Sequence, residues 1–254
     1  MGMTCAPGAP TGTDQAKLGG MQVRPEAMRH VVSYVQRGER MTVGQQRAWE
    51  RRWPRLGGHV PDLPDGPLDT ARWFGRANPV VLEIGSGMGE STAALAAARP
   101  DLDHLAVEVY KPGLAQLLWR IEEAGLDNVR LLRGDALDLL TGHIAPGALH
   151  GVRVFFPDPW PKRKHHKRRL VTPAFVALVV SRLEPGGTLH LATDWAGYAE
   201  QILAVCTAEP ALRGGVTPRP HWRPVSKFEQ RARENGRTVC DLLFVRSEQF
   251  TRTA

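Results

Sequence analysis

An aspartate between two prolines combines a carboxylate, an aromatic ring and dense positive charge within a short stretch of this sequence. Asp158 lies between Pro157 and Pro159, Trp160 follows, and residues 162–169 are all Lys, Arg or His. Because prolines restrict the backbone, the corner has little freedom to lose when a ligand binds. It suits a planar nitrogenous base, with Asp158 accepting hydrogen bonds and Trp160 offering a stacking surface. The alternative is a proline-rich turn in which Asp158 accepts from a backbone N–H.

A glycine loop follows the first apolar run that is typical of a buried strand. Gly85, Gly87 and Gly89 form a GxGxG pattern. A dinucleotide-binding loop would have its third glycine at position 90, where this chain has Glu90, and a carboxylate there would face a pyrophosphate. The pattern alone is equally consistent with a tight turn that binds nothing.

Acids at the ends of three predicted strands favour a cofactor site at this loop. Glu108 closes the second strand 21 residues after Gly87, near the roughly 20-residue spacing at which an acid binds ribose hydroxyls. Glu83 and Asp135 add carboxylates at the same edge. Such a rim repels a pyrophosphate but suits a ligand with a sulfonium, an ammonium, a ribose and an adenine, which indicates S-adenosylmethionine. Taken singly, each acid could instead cap a helix.

The elements that must position these residues alternate from Pro79 onward. Strands are predicted over residues 80–85, 104–110, 128–136, 151–158, 188–194 and 238–246. Helices are predicted over residues 89–100, 112–126, 172–187 and 195–208. Strands that alternate with helices predict an α/β fold with a parallel sheet covered on both faces. Ligands of such sheets bind at the carboxyl ends of the strands.

The rest of the chain is divided by composition. Residues 1–24 are rich in Gly, Pro and Thr and are predicted to be a disordered tail. Residues 25–254 are predicted to form one domain, with a basic helical segment at 25–78 and the α/β core at 79–254. Within the basic segment, Thr42 and Gln45 predict a capping box for a helix that ends before Pro54.

Composition excludes several classes of protein. No apolar segment approaches the roughly 20 residues that a membrane-spanning helix needs, and the first residues lack a signal-peptide layout. Three scattered cysteines indicate neither a disulfide framework nor a metal site, and His165 and His166 lack further ligands, so no metal is expected. We therefore expect a cytoplasmic protein. The sequence does not distinguish a monomer from a homodimer.

Positive charge is concentrated at the basic run. The chain carries 33 Lys and Arg against 26 Asp and Glu, a net charge of +7, and residues 162–169 hold much of the excess. A concentrated patch indicates a polyanionic partner. Such runs are usually solvated faces or localisation signals. This one lies between a predicted core strand and a core helix, which favours contacts with the phosphates that flank a bound base.

Six segments together resemble the bacterial tRNA (guanine-N7-)-methyltransferases, over nearly all of the chain after about residue 25. They are RHVVSYVQRGERMTVGQQRAWERRWPRLG, LEIGSGMGEST, AVEVYKPG, FFPDPWPKRKHHKRR, LATDWAGYAEQ and VSKFEQRARENGRTVCDLLF. The proline–aspartate–proline–tryptophan corner joined to the basic run is the most specific of them. Two positions depart from the family pattern, which usually has threonine at Ser226 and a glycine near Ala232.

The resemblance implies a Rossmann-like methyltransferase fold with a mostly parallel, seven-stranded sheet. It implies transfer of a methyl group from S-adenosylmethionine to guanine N7 in tRNA, at the variable loop, with Asp158 as the catalytic residue. Cofactor contacts are implied for residues at the strand ends and the glycine loop, namely Glu83, Gly85, Gly87, Gly89, Glu108, Asp135 and Asp158. Contacts with the substrate guanosine are implied for Lys162, Asp194, Ser226, Lys227, Phe228 and Glu229. RNA contacts are implied for Lys164, His165, His166, Lys167, Arg168 and Arg169.

Other functions remain open on the residues alone. One is a methyltransferase for another RNA or for a small molecule, and the basic run argues against the latter. Another is an RNA-binding module without activity, which the acids and glycines count against. A dehydrogenase that uses a nicotinamide cofactor is disfavoured by Glu90. Asp194 has a further alternative, as the N-cap of the helix that follows it.

Overall fold

The structure is a computed structural model that describes residues 33–34 and 38–248, all within one compact unit. The tail predicted at residues 1–24 lies outside the described residues. In chain order the elements are α1 (Val43–Leu56), β1 (Gly57–His59), α2 (Thr70–Phe74), β2 (Val80–Ile84), α3 (Glu90–Ala98), β3 (Asp103–Glu108), α4 (Lys111–Glu123), β4 (Val129–Arg133), α5 (Ala136–Gly142), β5 (Leu149–Phe155), α6 (Pro173–Arg182), β6 (Leu183–Thr193), α7 (Ala196–Thr207), β7 (Leu212–Thr217), α8 (Lys227–Glu234) and β8 (Cys240–Arg246).

The strands form one mixed sheet in the order β1-β4-β3-β2-β5-β6-β8-β7. All neighbours are parallel except β8, which runs antiparallel to both β6 and β7. The predicted mostly parallel sheet is confirmed, and it has eight strands in the described residues because the three-residue β1 adds to the edge beside β4. The chain builds outward from β2 to β3 and β4, then returns to the other side of β2 with β5. This reversal opens a crevice at the carboxyl ends of the central strands.

Helices cover the two faces of the sheet, and the faces differ in polarity. Alternate residues of the central strands, such as Leu82 and Val154, pack with α5, α6 and α7 in the larger apolar core. A smaller core joins α1, α3 and α4 to β3 and β4. On this second face a polar row crosses the sheet, because Glu83 of β2 pairs in register with Arg153 of β5, and Arg153 pairs with His190 of β6.

Helix α1 confirms its predicted start and corrects its predicted end. Thr42 and Gln45 form the capping box, with Thr42 N–H donating to Gln45 Oε1 at 2.9 Å and Gln45 N–H to Thr42 Oγ1 at 3.3 Å. The helix was predicted to end before Pro54, but it continues to Leu56. The rings of Trp49 and Trp53 stack at 3.9 Å and Leu56 is buried, so packing offsets the N–H that proline removes.

Other predicted boundaries also move. The helix predicted over residues 172–187 ends at Arg182, because Leu183 already pairs with Leu149 and starts β6. Helix α7 has Trp195 as its N-cap, so Asp194 is not the cap that the sequence allowed as an alternative. Five elements, β1, α2, α5, β7 and α8, were not predicted individually.

Candidate functional site

The glycine loop between β2 and α3 requires its glycines. Gly85, Gly87 and Gly89 have φ values of 76°, 55° and 73°, in the left-handed region that other residues avoid. A Cβ on Gly89 would also lie 2.5 Å from Cβ of Leu117 in α4. The loop is therefore the tight turn that the sequence allowed, and it lies at the mouth of the crevice.

Glu108 holds the loop in place. Its Oε2 accepts a hydrogen bond from the Gly87 N–H at 2.8 Å, and its Oε1 accepts from the N–H groups of Val109 and Tyr110 at 2.7 and 2.9 Å. A carboxylate has about four lone-pair sites, so it retains capacity for a ligand hydroxyl. Glu108 is thus fixed in orientation at the end of β3, where a ribose contact was predicted.

Asp135 combines the two roles that the sequence left open. It is the N-cap of α5, and its Oδ1 accepts from the Leu137 N–H at 2.8 Å. It also lies at the end of β4, in the wall of a cavity at the carboxyl edge of the sheet that is described below. The cap fixes one carboxylate oxygen, so the side chain has a defined direction at the cavity wall.

The corner that carries Asp158 has an unusual backbone. Phe156 and Trp160, on either side of it, have φ values of 53° and 44°. Left-handed conformations of residues other than glycine cost about 1–3 kcal/mol each and concentrate at functional sites. Arg169 supports the corner, since its Nε donates to the Pro159 carbonyl at 2.8 Å and its Nη1 to Gln201 Oε1 at 2.7 Å.

One cavity brings three of the predicted acids together with two of the glycines. Its polar and loop residues are Gly85, Gly87, Glu108, Asp135 and Asp158. Apolar and aromatic side chains complete the wall, including Tyr34, Ile84, Val107, Val154, Phe156, Leu170 and Phe228. Strand ends from β2, β3, β4 and β5 therefore meet there, as the parallel topology requires.

Glu83 lies outside this cavity wall. Its residue is only 4% exposed, and Oε2 makes no hydrogen bond within residues 33–34 and 38–248. Burial raises the pKa of Glu83 to about 7, against the opposing effect of the Arg153 charge. Burial also lowers the pKa of the Arg153 guanidinium. The carboxyl is part of the polar row on the α3 and α4 face, and its predicted cofactor contact stays a prediction.

The predicted substrate segment starts helix α8, and only one of its four side chains lines the cavity. Ser226 is the N-cap, with its Oγ accepting from the Glu229 N–H at 3.3 Å. Phe228 enters the cavity wall. Lys227 instead pairs with Glu90, with Nζ 3.2 Å from Oε1, and the Lys227 N–H donates to Glu90 Oε2 at 3.1 Å. Glu229 is buried and pairs with Arg223 and Arg233.

Lys162 and Asp194 also lie outside the cavity wall in this structure. Lys162 is exposed at the start of a short 3₁₀ helix, Arg163–Arg168. Asp194 follows β6, and its Oδ2 lies 2.9 Å from Nη1 of Arg237. Both are at the carboxyl edge, so their predicted substrate contacts stay predictions.

The basic run is mostly presented to solvent. Lys162, Arg163, Lys164 and Lys167 are exposed, and His165, His166 and Arg168 are partly so. Arg168 covers the Trp160 ring, 3.8 Å from its centroid, so this cation occupies one face of the ring that was predicted to stack on a base. Burial and the neighbouring lysines and arginines lower the pKa of His165.

Arg169 differs from the rest of the run. It is 4% exposed, and its guanidinium also lies over the Tyr198 ring, 4.8 Å from the centroid. The hydrogen bonds that support the corner hold this guanidinium in the interior. The placement therefore disagrees with the RNA contact predicted for Arg169. Nothing in the sequence of the basic run indicated that this one arginine would be buried while its neighbours are at least partly exposed.

Two further residues at the site were not predicted. Glu90, interpreted as a residue that disfavours a pyrophosphate, attaches α8 to the glycine loop through Lys227. Gly113 of α4 packs against that loop, since a Cβ there would lie 2.2 Å from the Gly87 carbonyl oxygen. Its position in the first turn of a helix gave no sequence signal for this close approach.

The donor set of the cavity fits S-adenosylmethionine. Oriented carboxylates suit its ribose hydroxyls and positive charge, and the apolar wall suits its adenine. Among residues 33–34 and 38–248, no group of three or more His, Cys, Asp or Glu is placed to hold a metal ion. No helix of that part of the chain is long and apolar enough to cross a membrane.

The fold and the acid-lined glycine loop define an S-adenosylmethionine-dependent methyltransferase. A family model described as "Putative methyltransferase" matches residues 77–242. A tRNA (guanine-N(7)-)-methyltransferase of Nocardia farcinica (strain IFM 10152) is 50% identical to this chain, and the alignment covers 95% of this chain and 94% of the relative. The enzyme of the same name from Alkalilimnicola ehrlichii (strain ATCC BAA-1101 / DSM 17681 / MLHE-1) is also 50% identical, and the alignment covers 87% of this chain and 94% of that relative. The chain belongs to the tRNA (guanine-N(7)-)-methyltransferase family.

A solved structure supports the fold independently. The 16S rRNA methyltransferase KamB superposes with a TM-score of 0.50 at 15% sequence identity. The match covers 71% of this chain and 94% of KamB. At this identity the similarity concerns the fold alone, and it confirms the predicted Rossmann-like methyltransferase architecture.

Proposed function

We propose that this protein transfers a methyl group from S-adenosylmethionine to N7 of a guanine in the variable loop of tRNA, forming 7-methylguanosine. The observation that carries the proposal is the cavity that Asp158 of the proline corner lines together with the glycine loop and Glu108. The two relatives named tRNA (guanine-N(7)-)-methyltransferase, which are 50% identical over 94% of their own lengths, support tRNA as the substrate. The variable-loop position comes from the family resemblance.

Glu108 and Asp135 are the residues we assign to the cofactor. Glu108 would accept from the ribose hydroxyls, because its orientation is fixed by three backbone N–H groups. Asp135, at the end of the next strand, lines the wall beyond it. When bound, S-adenosylmethionine supplies an electrophilic methyl group on a sulfonium sulfur.

Asp158 would act on the guanine. N7 carries a free lone pair in the neutral base, so methyl transfer needs no general base, and we do not assign that role to Asp158. Its carboxylate can accept hydrogen bonds from guanine N–H groups and orient the base, and good orientation can contribute about 7–11 kcal/mol. The product base is cationic, so the same carboxylate also stabilises charge that develops during transfer.

The exposed cations after the corner would hold the RNA. Lys162, Lys164 and Lys167 are exposed beside Asp158, where the phosphates that flank a bound guanine would lie. Such contacts release counterions, so binding should weaken steeply as salt rises. A cytoplasmic location, where tRNA is available, is part of the proposal.

The decisive experiment maps the methylated nucleotide. The protein is incubated with labelled S-adenosylmethionine and unmodified tRNA, with ribosomal RNA and free guanosine in parallel reactions. We expect label in tRNA only, in one 7-methylguanosine of the variable loop. Label at another position would correct the site, and label only in ribosomal RNA or guanosine would refute the proposed substrate.

A further inference from the structure

Four arginines, none of them given a role from the sequence alone, line a second cleft. Its wall includes Arg219, Arg223, Glu229, Arg233, Arg237 and Asp241, and we call it the arginine cleft. The residues come from the segment before α8, from α8 itself, from the connection after it and from the start of β8. Because β8 is antiparallel to β6, its start lies at the carboxyl edge of the sheet, the same edge as the cofactor cavity.

The floor of the cleft is a buried structural cluster. Arg223 donates from Nε to Asp241 Oδ1 at 2.6 Å and from Nη2 to Oδ2 at 2.9 Å. Its Nη1 lies 2.8 Å from Glu229 Oε2, and all three side chains are at most 2% exposed. His190 Nε2 lies 2.9 Å from the same Asp241 Oδ1, and burial lowers the pKa of this imidazole. The floor therefore positions Glu229 and leaves the outer arginines to determine what binds.

The outer arginines remain accessible and outnumber the carboxylates that face them. The side chains of Arg219, Arg233 and Arg237 are 36%, 59% and 48% exposed. Arg219 and Arg233 both turn toward Glu229, which already pairs with Arg223. Arg237 pairs with Asp194. Four guanidinium groups thus share three carboxylates, and this surplus of positive charge fits one added anion.

The cleft and the cofactor cavity are lined by neighbouring residues of one helix. Phe228 of α8 lines the cavity, and the next residue, Glu229, faces the arginine cleft. A nucleic acid that places a base in the cavity would therefore pass its backbone close to α8. The basic run of residues 162–169 follows β5, so the two sets of cations come from different strand ends.

We propose that the arginine cleft binds a phosphodiester of the RNA backbone, as a phosphate contact separate from the basic run. Guanidinium groups bind phosphate oxygens through paired N–H donors, and three accessible forks around one opening suit that geometry. This inference rests on the proposed function, because it assumes that an RNA strand crosses α8.

The test compares the salt dependence of tRNA binding in two matched variants. R219Q/R233Q removes two accessible forks and leaves the Arg223 cluster and the Arg237–Asp194 pair in place. The control is R99Q, since Arg99 is equally exposed and pairs with Asp101, but lies after α3 at the amino edge of the sheet. We expect the double variant to raise the tRNA dissociation constant roughly tenfold and to lower the salt slope by about one in total, since both forks would contact the same phosphate, with R99Q unchanged.

Several outcomes would overturn the inference. An unchanged salt slope in R219Q/R233Q, or an equal change in R99Q, would show that the cleft is not a backbone contact. Calorimetric titration with inorganic phosphate distinguishes a free anion: saturable binding that the variant loses without any change in the tRNA slope would assign the cleft to free phosphate. If R219Q/R233Q does not fold, R219K/R233K keeps the charge and loses the forks, and we expect weaker tRNA binding with a retained slope. Equal affinity in that variant would refute the paired contact.

The design separates this inference from the proposed function. Failure of the unmodified protein to bind or methylate tRNA would contradict the proposed function. Normal methylation by the unmodified protein, with unaltered tRNA binding in the double variant, would contradict the arginine cleft alone. Binding of S-adenosylmethionine by R219Q/R233Q, measured by calorimetry, is expected to match the unmodified protein.

Discussion

The ring of Phe228 lies nearly parallel to the ring of Phe156, with centroids 6.0 Å apart and planes inclined by 17°. Phe156 belongs to the corner that carries Asp158, and Phe228 belongs to α8. The contact therefore joins two parts of the chain that both line the cofactor cavity. A second contact, between Lys227 and Glu90, attaches the same helix to the glycine loop.

The first prediction concerns this ring pair. F228A removes the ring from the cavity wall, and aromatic pairs contribute about 0.5–1.5 kcal/mol beyond their buried area. We expect kcat/KM for tRNA methylation to fall about 2- to 10-fold, because the cavity wall that Asp158 shares loses the support of this ring. F228Y keeps the ring and should retain most of the activity. Equal activity of F228A and the unmodified protein would remove the ring pair from the mechanism.

The second prediction separates catalysis from RNA binding at Asp158. D158A should reduce turnover on the order of 100-fold, because the carboxylate both orients the base and stabilises positive charge. The tRNA dissociation constant should change little, since the cations of residues 162–169 are untouched. D158N keeps the side chain's shape and a hydrogen-bond acceptor but not its charge, so its turnover should lie between the two. A fully active D158A would exclude Asp158 from the reaction.

The third prediction follows from the raised pKa of Glu83. The folded protein binds a proton at this carboxyl up to about pH 7, whereas the unfolded chain releases it near pH 4.5, the ordinary pKa of a glutamate. Stability of the cofactor-free protein should therefore fall as pH rises from about 4.5 to about 7, by at most about 3 kcal/mol. In E83Q this decline should be absent, so the variant should be the more stable protein at pH 8.

Urea unfolding at pH 5 and pH 8 measures the effect. Exposed Glu123 of α4 provides the matched control, since E123Q removes a carboxylate at the surface. An identical pH dependence in E83Q and the unmodified protein would show that the buried carboxyl does not set this part of the profile.

The fourth prediction concerns the approach of α4 to the glycine loop. In G113A the new Cβ would meet the Gly87 carbonyl oxygen at 2.2 Å, so the loop or the helix must move. We expect at least a tenfold weaker affinity for S-adenosylmethionine and a lower melting temperature. The control is G44A, in the first turn of α1 with nothing within 4 Å, where alanine should stabilise by about 0.5–1 kcal/mol. Equal cofactor affinities in the two variants would contradict the proposed role of this contact.

The sequence predicted the parts of the site that depend on local pattern. Glu108 and Asp135 were located because short apolar runs mark strand ends, and parallel topology brings those ends together. The glycine loop was recognisable because left-handed turns need glycine. The basic run was evident from composition alone.

Contacts between segments that are far apart in the chain could not be predicted from the sequence. The pairing of Glu90 with Lys227 spans 137 residues, and neither residue type nor spacing indicates it. The burial of Arg169 depends on α7, which supplies Gln201 as its partner. Helix α8 was missed because it is short and strongly polar, so tertiary ion pairs rather than an apolar stripe hold it in place.

The left-handed backbone at Phe156 and Trp160 has a consequence for how this enzyme responds to selection. Glycine at either position would relieve local strain, but it would also remove an aromatic ring and give the unfolded chain more conformational freedom. The same change would let the proline corner sample other shapes and would scatter the direction of its carboxylate. A glycine at these two positions should therefore lower turnover without a gain in heat tolerance, which sets the corner apart from the outer helices.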